Sequence, residues 1–499
     1  MTMPAEAPGA LTRAQILEIF KSEAGAVLEI DPEFIDEAAS LPELGADSLR
    51  LIALALRLRP LIGFALPPGL LPIEDPISSL VDLFAMALSE PDPLAALTRA
   101  QRRRLGKAIE ADLYLDPPPP ATGAVGADEA AAPRRVFLTG ASGFLGAYLV
   151  RELVTRTEAQ IHCLVRAKDA EAGLARVKDN MLKFGLWSDG IGPRLEIEVG
   201  ELGPERFGLT ADRYDWLARE MSLIYHNGAA VHLTQPYAQM RGANVAGTRT
   251  ILDLAQRGRV KPVAVVSTVG LLDTPELQSF AQITEDIAAS DVTLLPNGYT
   301  QTKWVGEQLV DLAAARGVPA ASLRVGHVIG EGVSEDLAGR LAHACFIAGK
   351  VPELTRPIDY VPPEYIAAAI VALPRRSIGL SGVYQLVNPQ PFTPDDVRVL
   401  LAESDQPLEV VPVKTWLSAL RGAALNDPAH PMFAAADLLG DPDHPEDQSF
   451  VELVLARPRM TCGRLITALE TDMPPCPTAR EILRSVLERT PAIVALASH

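Results

Sequence analysis

Residues 135–146 read RVFLTGASGFLG, and this stretch decides the fold. Arg135 to Thr139 is a short β-rich run, Gly140, Gly143 and Gly146 follow at intervals of three, and a helical pattern begins near Ala147. Glycines so spaced between a strand and a helix let the turn tighten and bring backbone N–H groups against a pyrophosphate at the helix N-terminus. A glycine triplet alone is a weak signal. The strand before it and the helix after it make this one strong, and Gly140, Ser142, Gly143, Phe144, Leu145 and Gly146 become candidate dinucleotide contacts.

Downstream, Gln160–Val165 (QIHCLV), Leu195–Val199, Leu223–His226 and Pro262–Ser267 (PVAVVS) are short, β-rich and apolar on both faces. Helix-length segments separate them. Strands of this kind form a parallel sheet covered on both sides, so the expectation is a Rossmann-like, doubly wound α/β domain. The second strand runs into CLVRAKD, with Arg166 where an NAD-preferring site has Asp or Glu. A carboxylate there binds the ribose 2′-hydroxyl, whereas Arg accommodates a 2′-phosphate, which favours NADPH. Lys168 and Arg176 are candidates to extend that pocket, against the plainer reading of each as a solvated charge. From about Phe392 the alternation fades into helical segments rich in Pro and Asp, taken as a smaller C-terminal substrate-binding part.

The string GYTQTKWVGE sets Tyr299 and Lys303 at i and i+4, one face of one helical turn. In that arrangement the ammonium lies under the phenol, reaches a cofactor ribose and depresses the Tyr299 pKa, so that the phenol can protonate a carbonyl oxygen as hydride arrives. Tyr-x-x-x-Lys pairs are common by chance. Here the pair follows PVAVVST, whose last residue, Thr268, stands where a second hydroxyl donor is needed.

The first ninety or so residues read as helices, with Ile16, Leu17 and Phe20 on one face of Leu11–Ala26. In LGADSLRLIAL, Ser48 follows Asp47 at the start of an apolar-periodic run. The plain reading is an Asp-Ser helix cap. Against it stand the Gly two residues before Asp47, the Leu after Ser48 and the acidity of the segment: residues 1–92 carry fifteen Asp and Glu against five Lys and Arg. A helix N-terminus also favours an attached phosphodiester. After a helical pattern to Tyr114 comes DPPPPATGAVGADEAAAP, whose composition predicts a flexible linker.

The Ser48 segment resembles an acyl or peptidyl carrier protein over most of residues 10–90, which implies 4′-phosphopantetheine on Ser48 and substrates held as thioesters. TGASGFLG, CLVRAKD, IYHNGAAV, GANVAGT, VVSTVG and GYTQTKW resemble the extended short-chain dehydrogenase/reductase superfamily. They are most similar to the terminal thioester reductase domains of non-ribosomal peptide synthetases and carboxylic acid reductases, over Arg134 to Asn388. The likeness implies Thr268, Tyr299 and Lys303 as the catalytic set and NADPH as cofactor. It puts Asn227, Gly228, Ala229 and Ala230 on the nicotinamide side, Glu201 and Leu202 (relatives more often have Asp-Leu) beside the adenine, and Asn244 behind Lys303 through a water. His232 replaces a frequent Asn, and Val325 a frequent Pro. The expected organisation is a carrier at 1–92, a helix and Pro/Ala-rich linker at 93–133, a NADP-binding reductase at 134–391 and a substrate-binding part at 392–499.

Together these features imply reductive release of a tethered acyl or peptidyl thioester as an aldehyde, with further reduction to an alcohol left open. Such chemistry needs a phosphopantetheinyl transferase and an acyl-loading enzyme or upstream synthetase module acting in trans, unless the chain is excised from a longer assembly line. The rivals are a nucleotide-sugar epimerase or dehydratase, which has no use for a carrier, a redox-neutral cyclisation domain, expected to lack Tyr299, and a non-enzymatic carrier scaffold. A net charge of -18 disfavours nucleic acid. The basic run Arg102, Arg103, Arg104 and Lys107 reads as a solvated helix face. Leu49–Leu71 is broken by Arg57, Arg59, Pro60, Pro67 and Pro68 and cannot supply a membrane span. Cys163, Cys345, Cys462 and Cys476, far apart and with no signal peptide upstream, point to reduced thiols in a cytoplasm. His226, His232, His327 and His343 lack metal-ligand spacing. The absence of G-x-S-x-G disfavours a hydrolytic thioesterase.

Overall fold

The computed structural model describes residues 11–46, 48–62, 73–233, 235–329, 337–376, 380–396, 399, 408–427, 429–440, 449–469, 473–478, 480–482 and 484–485. They form two compact units, one up to Asp112 and one from Leu113 on, leaving aside Thr234–Pro236.

The first unit is helical. Helix α1 (Arg13–Leu28) opens on a capping box, Thr12 accepting from the Gln15 amide while the Gln15 side chain accepts from Thr12. With α2 (Ser48–Ile62) and α3 (Ile77–Leu88) it buries a core of Ile16, Phe20, Leu28, Leu54, Leu58, Leu80, Val81 and Phe84. The apolar positions recur every three or four residues, so each helix turns one stripe inward. Ala96 and Leu97 of α4 (Pro93–Asp112) enter the same core, so the helix that composition assigned to the linker region packs with this unit. Ser48 is the first residue of α2. Asp47 lies outside the described residues.

The second unit is built on seven parallel strands: β1 (Arg135–Thr139), β2 (Gln160–Val165), β3 (Leu195–Val199), β4 (Leu223–His226), β5 (Val263–Thr268), β6 (Ala320–Val325) and β7 (Ser381–Leu386). Their spatial order is β7-β6-β5-β4-β1-β2-β3. The first five stand where the sequence predicted strands; the last two complete the sheet. Order reverses between β1 and β4, and ligands of such sheets bind outside the strand carboxyl ends at that switch. Helices α5 (Phe144–Arg156), α6 (Ala170–Lys183), α7 (Gly247–Gln256) and α8 (Gly298–Ala315) connect the strands.

Two expectations change. Residues 113–133 are docked rather than free. Ala121–Ala124 runs parallel to Gly258–Val260, Val125 donates to the Val260 carbonyl at 2.8 Å, and Val125 and Ala130 are buried. Arg249 donates to the Tyr114 carbonyl and lies 4.1 Å over its ring, and Arg316 donates to the carbonyls of Leu115 and Asp116. Glu129 pairs with both terminal nitrogens of Arg259 (2.7 and 2.9 Å). The proline run offers no helix or ladder hydrogen bonds of its own, and the partners that dock the stretch lie 130 or more positions away, where local composition cannot register them. The smaller part also starts before Phe392: Ala344 of α9 (Leu337–Ala348) shares a satellite core with Trp416, Leu417, Leu420, Met432 and Val451. Among the described residues no helix is long and apolar enough to cross a membrane.

Candidate functional site

The turn after β1 shows why its glycines are needed. Gly140 has φ +76°, and a Cβ on it would come within 2.8 Å of the Gly228 backbone. A Cβ on Gly146 would meet the Gly140 carbonyl oxygen at 2.0 Å. Helix α5 starts at Gly143 with no side-chain cap, and Ser142, Phe144 and Leu145 are half-buried around that start. A tight turn, an uncapped helix N-terminus and room for close backbone approach fit a dinucleotide pyrophosphate. Asn180 of α6 donates to the Gly143 carbonyl at 2.9 Å. No local motif marks that asparagine.

Arg166 is exposed at the end of β2, and its carbonyl accepts from the Arg176 guanidinium at 2.9 Å, so the two basic residues share one corner. Lys168 is exposed too. Glu201 is exposed, held by its amide on the Phe207 carbonyl, whereas Leu202 packs against Gly247, where a Cβ would lie 3.1 Å from the Leu202 carbonyl oxygen. Ala229 and Ala230 are half-buried beyond β4, in the loop that starts with Asn227, where the Gly228 amide donates to Thr139 Oγ1 at 2.8 Å.

Thr268 closes β5 and accepts from the Gly270 amide at 3.1 Å. Tyr299 and Lys303 lie in the first turns of α8, whose N-cap Asn297 accepts from the Thr300 amide. Lys303 is buried and donates to the Val266 carbonyl of β5 at 2.7 Å, which fastens the start of α8 to the strand carrying Thr268. Deeper in the same helix, Glu307 accepts from Ser267 (2.6 Å) and from a buried Arg324 (2.8 Å) of β6. Burial lowers the Lys303 ammonium to about 8, with Glu307 opposing. The same cause pushes the Tyr299 phenol up to about 12. Desolvation of the half-buried phenol, rather than the expected depression by Lys303, therefore sets the direction of its shift.

Asn244 sits in a π-helical turn, Gly242–Ala246, a local widening common at functional sites. Its side chain accepts from the Ala230 amide (2.8 Å) and donates to the Ala230 carbonyl and to Thr302 Oγ1 (both 3.0 Å). It therefore joins the loop after β4 directly to α8. Shortly past Thr268, the buried Asp273 makes a two-point ion pair with Arg457 (2.7 and 2.6 Å), which also donates to His327, tying the C-terminal part to the end of β5. His232 is exposed. Among the described residues no group of three or more His, Cys, Asp or Glu could hold a metal ion.

Two family models match the chain: "Male sterility protein" over residues 138–370 and "Phosphopantetheine attachment site" over residues 17–84. A linear gramicidin synthase polypeptide of Brevibacillus parabrevis is 36% identical over 290 residues, 57% of this chain, which spans 6% of that protein's length. The terminal R domain from the myxalamid PKS-NRPS biosynthetic pathway is 33% identical with a TM-score of 0.65, over 78% of this chain and 98% of that domain. A thiolation-reductase di-domain from an archaeal non-ribosomal peptide synthetase shares the fold along 99% of this chain and 100% of its own, at 18% identity and a TM-score of 0.60. With the glycine turn at the switch of a seven-stranded parallel sheet and a separate helical unit opening α2 on Ser48, the chain belongs to the thioester-reductase family of extended short-chain dehydrogenases/reductases, carrying its own phosphopantetheine-attachment domain.

Proposed function

We propose that the chain reduces an acyl or peptidyl thioester, held by phosphopantetheine on Ser48, to an aldehyde and the free pantetheine thiol. The observation that carries this reading is the Lys303–Val266 contact, which joins the first turns of α8 to the strand ending in Thr268, two strands along the sheet from the strand that leads into a glycine turn shaped for a dinucleotide. NADPH supplies the hydride when bound. Tyr299, kept protonated by burial, and Thr268 donate to the carbonyl oxygen as negative charge develops there, and the tetrahedral adduct then expels the thiolate. Arg166 and Arg176 supply positive charge for a 2′-phosphate, and Glu201 and Leu202 flank the adenine side. A phosphopantetheinyl transferase and an upstream synthetase module or acyl-loading enzyme are the expected partners.

The test compares two substrates on the full chain. Tyr299→Phe abolishes reduction of both a carrier-loaded acyl group and a free acyl-pantetheine thioester, whereas Ser48→Ala loses the first and keeps the second. Near wild-type turnover of the free thioester by Tyr299→Phe overturns the assignment. The pH profile gives a second check. An amine lowered to about 8 is cationic below that value, so kcat/KM, which reports the free enzyme, is retained below pH 8 and falls as pH rises through it. A profile flat to pH 10 rules out an essential Lys303 ammonium.

A further inference from the structure

His226, the last residue of β4, is 1% exposed and lies between the glycine turn and the catalytic helix. Its hydrogen bonds have one consistent polarity. Thr139 Oγ1 accepts from the Gly228 amide (2.8 Å) and faces His226 Nδ1 (2.8 Å) with its own proton still to give. Thr248 spends its proton on the Asn244 carbonyl (2.6 Å), so it must accept from His226 Nε2 (3.3 Å). A neutral imidazole with its proton on Nε2 then leaves Nδ1 to accept from Thr139, so that both hydroxyls donate and accept. Burial and the nearby Lys303 charge lower its pKa to about 3, which agrees with that form.

We propose that His226 is a positioning residue: through Thr139 it holds the glycine turn, and through Thr248 it holds Asn244, and the two arms set the cofactor loop and the Tyr299 helix in one register. Asn244 completes the second arm, because its side chain grips Ala230 on one side and Thr302 on the other, and Thr302 donates to the Tyr299 carbonyl at 2.8 Å. The arrangement spans four segments distant in sequence, and each hydroxyl in it both donates and accepts. Loss of one link leaves a buried polar atom unpaired rather than resolvated, so the geometry shifts instead of simply weakening. This inference rests on the reduction proposed above.

The second arm can be cut in two ways while the first is kept. Asn at 226 can keep an acceptor near Thr139 but cannot reach Thr248, and Thr248→Val removes the second arm without touching the first. With a free acyl-pantetheine thioester as substrate, both His226→Asn and Thr248→Val are expected to lower kcat about tenfold, while the NADPH dissociation constant, titrated by fluorescence without turnover, moves less than about threefold. Thr248→Ser, which restores the hydroxyl, recovers the rate. Parallel losses of kcat and NADPH affinity in both variants, no loss of kcat in Thr248→Val, or a Thr248→Ser protein as slow as Thr248→Val, each overturns the proposal. The NADPH titration stands even if no thioester is turned over, and a wild-type rate in Tyr299→Phe would count against the reduction itself rather than against the two-arm arrangement.

Discussion

The glycine turn at 140–146 and the stretch at 113–133 are neighbours in sequence and opposites in how their structure is encoded. In the turn, every constraint comes from residues close by or from one strand beyond: Gly146 must be bare because the Gly140 carbonyl is against it. In the proline- and alanine-rich stretch, local preference is weak and order comes from distant arginines, Arg249, Arg259, Arg316 and Arg375, which bind its carbonyls or its one paired carboxylate. A motif is readable when its causes are local. A docked strap is readable only once its partners are in place.

Paired glycine substitutions break that comparison most sharply. Gly146→Ala forces a methyl group into the Gly140 carbonyl, backbone against backbone, and no rotamer relieves it. Expected is a loss of NADPH affinity of at least about a hundredfold, ~2.7 kcal/mol, with a lower Tm. Gly126, in the strap, has φ -77° and open space where its Cβ would stand. Gly126→Ala should change stability by less than about 0.5 kcal/mol. Equal tolerance at the two positions, read by thermal melts and NADPH titration, defeats the claim that only the turn demands glycine.

What was legible follows the same division. Five strands, the glycine turn, the Tyr299–Lys303 spacing and the Ser48 helix start each rest on patterns within about ten residues, and the structure has a strand, turn or helix at each of those places. Strands β6 and β7 had no flanking motif to mark them. Asn180, His226 and the Arg457–Asp273 pair were missed because their meaning lies in what they touch, at separations no periodicity reports. Tyr299 stands on the helix its spacing predicts, whereas the desolvation that raises its pKa is a property of the packed site and not of the i, i+4 spacing.

The cofactor preference gives an intermediate effect. Arg166 is exposed at the strand end, so its charge meets a ligand phosphate partly screened by water. Arg166→Ala should weaken NADPH about tenfold and leave NADH within about twofold, measured as dissociation constants. A wild type that binds NADH as tightly as NADPH contradicts the assignment.

The smallest measurable loss falls on the strap and concerns stability alone. Glu129 accepts from both terminal nitrogens of Arg259 and from Ser222 Oγ at 2.8 Å, and the Arg259 hydrogen bonds hold its carboxyl below the usual glutamate range. Both side chains remain about 30% exposed, so solvent screens the pair and Glu129→Ala should cost only about 1 kcal/mol. The pH dependence fixes the cause. A carboxyl with a lowered folded pKa stabilises fully above its unfolded pKa, about 4.3, and loses that contribution as pH falls through the folded value. The Tm difference between wild type and Glu129→Ala is therefore expected to persist at pH 7 and to shrink towards zero below pH 4, with NADPH affinity unchanged throughout. A Tm difference that stays constant into acid assigns the loss to packing of the Ala127–Ala131 helix, and no difference at pH 7 means that Arg259 does not hold the strap.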